Sequence, residues 1–161
     1  MTTNIIKLSN APAITGLSFR HFLGESDYPK MLKVVEASAE ADKIERADTI
    51  EELANNYAHL TNCDPYQDML FAEIEGEVIG YSRGWWTDET NGPLIYAHVG
   101  FLAPAWRRKG IGSAMLYWVE DRLREIAEPH APEREKCFQD FSAEAQVGLN
   151  TMLEKNSYQP I

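Results

Sequence analysis

Residues 106–115, Trp-Arg-Arg-Lys-Gly-Ile-Gly-Ser-Ala-Met, bring together residue types that can hold an anion. Arg107, Arg108 and Lys109 run straight into Gly110-Ile111-Gly112-Ser113 and then into an apolar segment. At a helix start the first backbone N–H groups have no intrahelical acceptor, and the helix dipole adds partial positive charge there. Glycines let an anion approach that backbone closely, and cationic side chains add charge-assisted contacts. The stretch reads as a phosphate cradle, suited to a pyrophosphate. The competing reading is a solvated basic run ahead of an ordinary helix. Two glycines in a first turn count against it, because glycine is a poor helix former. Gly110 to Met115 lacks the third glycine of the dinucleotide fingerprint and follows mid-chain strands rather than opening a βαβ unit. No Gly-Lys-Ser/Thr follows a four-residue spacer, so a Walker loop is excluded.

The cradle needs a strand before it and a helix after it. Leu94 to Leu102 (LIYAHVGFL) is mostly apolar, as a central strand would be, and Pro104 ends it. Gly112, Met115, Leu116, Val119, Leu123 and Ile126 recur on one face of a helix over 110–127, with Glu120, Asp121, Arg124 and Glu125 largely opposite. Upstream, Met69–Ile74 and Val78–Ser82 flank Glu75-Gly76-Glu77 as a β-hairpin, whose second strand extends to Trp85 and Trp86. Those two tryptophans must point to opposite faces. Glu73 and Glu75 on this hairpin could pass protons through water, although exposed hairpin carboxylates are common.

Residues 1–16 read as an N-terminal arm broken by Asn10, Pro12 and Gly16. A first strand over 17–22 leads to a helix with Pro29 in its first turn. Thr49 and Glu52 form a capping box for a second helix through Leu53, Tyr57 and Leu60, which ends at 62–65. A strand over 136–142, a helix over 143–156 and an incomplete strand over 157–161 close the chain. The order β-α-α-β-β-β-α-β-α-β predicts an α+β (mixed α/β) fold in one domain over 17–161.

Composition narrows the partners. With 15 basic and 25 acidic residues the net charge is −10, which argues against general nucleic-acid affinity and mildly favours cationic partners such as amines. Cys63 and Cys137 lack metal or disulfide spacing, so no metal is expected and a reduced, cytoplasmic setting fits. No signal peptide and no apolar run of membrane-spanning length is evident, so no membrane partner is expected.

Arg107-Arg-Lys-Gly110-Ile-Gly112 resembles the Arg/Gln-x-x-Gly-x-Gly/Ala signature of the GNAT superfamily of N-acetyltransferases. The wider run from Leu102 to Leu116, the element order and the closing Met152–Tyr158 segment are similar to that family as well. The resemblance implies a central, mostly antiparallel sheet, splayed at the cofactor site and flanked by helices. It implies acetyl-CoA as donor and direct attack by an amine of a small molecule or peptide. The pyrophosphate would then be held by the backbone from Arg108 through Gly110, Ile111 and Gly112 to Ser113, and by the Arg107–Lys109 side chains. The backbone of Phe101 and Leu102 would pair with the pantetheine arm, and Gln146 stands where many relatives have a cofactor-contacting asparagine.

For catalysis, Tyr96 occupies the position of a strand glutamate in several relatives. His98 lies on the same strand face, and a histidine can titrate near neutral pH. These two are the catalytic candidates, each with packing or hydrogen bonding as the plainer reading. The family's usual acid, a tyrosine in the last helix, is replaced by Leu153. That departure keeps a second reading open, a non-catalytic acyl-CoA-binding or interaction domain of a larger two-domain protein. An incomplete last strand would leave a sheet edge exposed, to be covered by a homodimer partner or a second GNAT domain.

Overall fold

The structure, a computed structural model, describes residues 5–161. Its six strands form one sheet in sequence order: β1 (Ile5–Ile6), β2 (Leu17–Arg20), β3 (Met69–Ile74), β4 (Glu77–Asp88), β5 (Leu94–Leu102) and β6 (Lys136–Asp140). Neighbours pair antiparallel except β5 and β6, which run parallel. A parallel pair needs a crossover, and α4 (Ile111–Ala127) supplies it.

Helices cover both faces. On one lie α1 (Tyr28–Ala41) and α2 (Ile50–Ala58), with Met31, Val34 and Val35 packed against Met69, Phe71 and Tyr81. The expected capping box holds α2: the Glu52 N–H donates to Thr49 Oγ1 at 3.1 Å, and the Thr49 N–H to Glu52 Oε2 at 3.4 Å. On the other face α4 buries Ile111 and Met115 against Leu70, Ala72 and Ile79, and Leu116, Val119 and Leu123 against Leu94 and Tyr96. Gly84 lets α4 sit this close to β4: a Cβ there would lie 3.1 Å from both Val119 and Leu123. α5 (Val147–Lys155) follows β6.

Several expectations are corrected. Within the arm, whose first four residues lie outside those described, Ile5–Ile6 pair with β2, and Leu8, Ala11 and Ile14 pack on the α4 core. Two strand residues are too few to show periodicity. Pro65–Asp68 form an extra helical turn, α3, capped by Asp64, where the sequence suggested only a helix end. α5 starts at Val147 rather than at 143, because the Gln146 side chain folds back to accept from the Ala143 N–H at 2.7 Å. No strand forms over 157–161. Pro160 cannot donate to a ladder, and Tyr158 turns its hydroxyl inward instead.

Candidate functional site

Gly110 holds φ 90° and ψ −3°, the left-handed conformation that glycine adopts without strain, and α4 starts one residue later. Arg108 is also left-handed, with φ 61°. Two such residues in three turn the chain sharply into the helix. Among the described residues, none of the backbone N–H groups from Arg108 to Ser113 donates to a protein acceptor; the first that does is Ala114, to the Gly110 carbonyl at 3.2 Å. Arg108, Lys109 and Gly110 are exposed, and neither cationic side chain meets a carboxylate among the described residues. A row of orphan N–H groups, a helix N-terminus and two unspent cations are together able to hold an anion. A Cβ on Gly112 would meet only ordinary contacts, 3.7 Å from Met152 Sδ and 3.9 Å from Leu102, so protein packing does not demand that glycine.

Arg107 behaves differently from its neighbours. Its guanidinium reaches back to α1, donating to Asp42 Oδ1 at 2.7 Å, to Asp42 Oδ2 at 2.9 Å and to Ser38 Oγ at 2.7 Å. Its Nε donates to the Leu102 carbonyl at 3.3 Å. Four of the five guanidinium donors are thereby used. The expected phosphate contact from this side chain gives way to a brace that ties the loop to α1.

Beside the loop, β5 loses one neighbour. It pairs with β4 over its whole length, from Gly80 opposite Leu102 to Asp88 opposite Leu94. β6 follows it only from Leu94–Lys136 to His98–Asp140. From Val99 onward β5 has an open edge, the splay expected at this place. The Ala103 N–H bonds the Ile79 carbonyl at 2.7 Å, and the Phe101 carbonyl lies against Gly80. Alternation then turns the backbone groups of Phe101 toward β4 and those of Gly100 and Leu102 toward the open edge. The backbone groups free to pair with a ligand at this edge are those of Leu102 and Gly100, whereas those of Phe101 are taken by β4.

Tyr96 and His98 share the α4 face, as their spacing required. Tyr96 is buried among Leu94, Leu116, Val119 and Leu123. Its hydroxyl lies 2.6 Å from His130 Nδ1, and burial raises its pKa. It lies six residues before Leu102 on β5, at the far end from the open edge.

His98 belongs to a buried polar chain. Tyr158 donates its O–H to Glu120 Oε2 at 2.6 Å, so its oxygen accepts from His98 Nε2–H at 2.8 Å. His98 Nδ1 then carries the lone pair, 3.6 Å from Asp140 Oδ2. Burial pushes the His98 pKa down to about 4 and that of Asp140 up to about 6. At neutral pH His98 is an uncharged group held through Nε2 by Tyr158, and its low pKa suits positioning better than proton abstraction. This chain closes the α4 side of the split between β5 and β6. Glu120, placed by the helical pattern on the polar face, is buried by it.

On the α1/α2 face, Arg83 and Trp85 project from β4 beside this end of β5, and Trp85 reaches Phe141, just past the end of β6. Trp85 stacks on Phe141 with ring centroids 6.0 Å apart, while Trp86 packs on the opposite face against His130. Glu73, one of the weaker proton-transfer candidates, is paired with Arg20. Two shallow surface depressions lie elsewhere, at 88–92 with Arg134 and along the outer side of α4.

Residues 31–131 match the family model described as the acetyltransferase (GNAT) family. The chain belongs to that family.

The matched GNAT segment runs from α1 through α4 and includes the anion loop and the whole of β5. Solved structures agree on the fold. A GCN5-related N-acetyltransferase from Sphaerobacter thermophilus superposes with TM-score 0.77 at 19% identity over 90% of this chain. The GNAT chain spans only 44% of that protein's length. yncA from Salmonella typhimurium, solved with its cofactor acetyl-CoA, gives TM-score 0.64 at 17% identity, covering 90% of this chain and 80% of its own. An aminoglycoside acetyltransferase from an uncultured soil metagenomic sample, solved with trehalose, gives 0.64 at 12% identity, covering 91% of each. A comparison with curated proteins finds no match.

Sequence reasoning missed the Glu120–Tyr158–His98–Asp140 chain and the Arg107 brace, because their members are far apart in sequence. It missed Arg83 as well, which looks like any polar residue in an alternating strand.

Proposed function

We propose that this GNAT domain is an acetyl-CoA-dependent N-acetyltransferase acting on an amine of a small molecule or peptide. The observation that carries the reading is the row of unpartnered N–H groups from Arg108 to Ser113 directly beside an unpaired strand edge. A pyrophosphate fits the first element and an amide-bearing arm fits the second. Arg108 and Lys109 would pair with the phosphates, and the backbone of Gly100 and Leu102 with the pantetheine amides. When bound, acetyl-CoA supplies an activated acetyl group that ends as an amide on the acceptor nitrogen, CoA leaving as the thiol. Arg107 fixes the loop against α1, so that the N–H groups keep their direction without a ligand. His98, Tyr158 and Glu120 form a buried hydrogen-bonded chain on the α4 side of the sheet where β6 ends. The net charge of −10 favours approach of a protonated amine.

A second reading is a domain that binds acyl-CoA without transferring the acyl group, and one observation favours it. Leu153, where relatives carry a tyrosine acid, is buried core and offers α5 no proton donor at the site. Thiol release from acetyl-CoA, measured across polyamines, aminoglycosides, amino acids and peptides, separates the two. Release with any amine establishes transfer; binding without release for all of them establishes the second reading.

A further inference from the structure

Arg83 is unusual among the arginines of this chain. Arg20, Arg46, Arg107, Arg122, Arg124 and Arg134 each meet a carboxylate. Arg108 lies in the anion loop, where a ligand supplies the charge. Arg83 has neither arrangement. Its Nε is buried without a hydrogen-bond partner, and no carboxylate lies within ion-pair distance among the described residues. An unpartnered buried donor of a charged group is costly. What surrounds it is aromatic: its guanidinium carbon stands 4.8 Å from the Trp85 ring centroid and 5.2 Å from that of Tyr57. The Cys63 thiol is close as well, but burial lifts its pKa to about 11 despite Arg83, so it stays neutral and leaves the charge uncompensated. The acidic residues near Cys63 are engaged elsewhere, Asp64 capping α3 and Asp68 binding Arg122.

The position matters as much as the missing partner. Arg83 is paired in register with Val99, the first β5 residue beyond the point where β6 departs. It projects on the α1/α2 side, because its neighbours Ser82 and Gly84 lie on the other face and Gly84 packs against α4. The α4 side of the split is filled by His98, Tyr158 and Glu120. An acceptor must therefore reach the split from the α1/α2 side, along Arg83, Trp85 and the half-exposed Phe141.

We propose that Arg83 recognises a carboxylate on the acceptor, so that the substrate class is an amine that also bears a carboxylate, with amino acids of apolar side chain as the simplest members. A guanidinium presents a planar fork that matches a carboxylate. One isolated cation balances one carboxylate and falls short of a phosphate dianion. Trp85 and Phe141 supply the apolar wall for the side chain, and the acidic chain draws the ammonium end. This rests on the acetyl-transfer reading above.

The test compares matched probes, L-phenylalanine with phenethylamine and L-methionine with 3-(methylthio)propylamine, in a CoA-release assay on the wild type, Arg83→Gln and Arg83→Lys. The carboxylate-bearing member of each pair should show kcat/KM roughly 10–100-fold higher, the range of one hydrogen bond to a charged group. Arg83→Gln should erase that preference by raising the acceptor KM while the KM for acetyl-CoA stays unchanged, and Arg83→Lys should restore part of it. Thermal-shift titration with N-acetyl-L-phenylalanine against N-phenethylacetamide gives a readout independent of turnover. Only the carboxylate should stabilise the wild type, and neither should favour Arg83→Gln. Equal use of both members by the wild type, loss of both members alike in Arg83→Gln, or equal or absent stabilisation by the two amides would overturn the proposal. Failure of the underlying reading shows separately, as absence of thiol release from acetyl-CoA with every amine offered, carboxylate-bearing or not.

Discussion

The buried residues His98 and Asp140 have pKa values shifted in opposite directions, and this makes a prediction about stability against pH. Folded His98 has its pKa near 4 against 6.5 when free, and folded Asp140 has its own near 6 against 3.8. Between pH 4 and 6 the folded pair is neutral histidine plus protonated acid, and the unfolded pair is imidazolium plus carboxylate. Both hold one proton, so unfolding neither takes up nor releases one, and the pair adds no slope to stability over that window. Taken singly, each group is steep. His98 has a depressed pKa, so its contribution is complete above 6.5 and is lost as pH falls toward 4, at about 1.4 kcal/mol per pH unit. Asp140 has a raised pKa, so its contribution is complete below 3.8 and is lost as pH rises through 6, at about the same rate.

Replacing Asp140 with Asn removes the second titration while keeping a donor near His98 Nδ1. Relative to wild type, Asp140→Asn should lose about 2 kcal/mol of stability as pH falls from 6 to 4. His98→Gln should show the opposite sign, gaining about as much relative to wild type over the same range. Urea unfolding at pH 4, 5, 6 and 7, followed by tryptophan fluorescence and far-UV circular dichroism, reads both slopes against the wild-type curve. That subtraction cancels the remaining carboxylates. The other polar groups at the pair, Glu120 and Tyr158, are present in all three proteins, as is Arg124, which stacks over Phe138. If both variants run parallel to wild type across the range, burial does not shift the two groups in the way described.

Two further predictions separate loop architecture from ligand contact. Arg107→Ala removes the double contact to Asp42 and should cost about 2 kcal/mol by chemical denaturation, discounted because the arginine is partly exposed; the folded fraction should bind acetyl-CoA more weakly, because the loop N–H groups lose the contact that fixes their direction. Gly110→Ala puts a Cβ on a left-handed residue with φ 90°, which should cost about 1–2 kcal/mol and lower the melting temperature by about 2–8 °C.

Local chemistry was readable from sequence, and long-range chemistry was not. The loop at 106–113 could be recognised because a left-handed glycine, a helix start and the adjacent cations are all set by contiguous residues. The capping box at Thr49 and Glu52 is local in the same sense. By contrast, Arg107 meets Asp42 across 65 positions and His98 meets Tyr158 across 60. Nothing in the spacing of either pair marks it. Arg107 was assigned to the phosphate with its two neighbours because all three carry charge, whereas only the backbone turn at Arg108 decides which of them face outward. Glu120 was placed on the solvent face by the helical pattern, which cannot anticipate a tyrosine returning from the end of the chain. The splay was foreseen only through family resemblance; its physical origin is that β6 ends at Asp140 while β5 continues to Leu102.

Isothermal titration calorimetry with acetyl-CoA tests the central claim most directly. The wild type should bind. Arg108→Ala with Lys109→Ala should weaken binding about 10-fold or more at low salt, with no loss of thermal stability. Gly112→Ala, whose added Cβ meets only ordinary contacts within the protein, should weaken binding in a folded protein. Absence of binding by the wild type up to millimolar acetyl-CoA, or undiminished binding by both variants, would contradict the assignment of residues 108–113 as the pyrophosphate site.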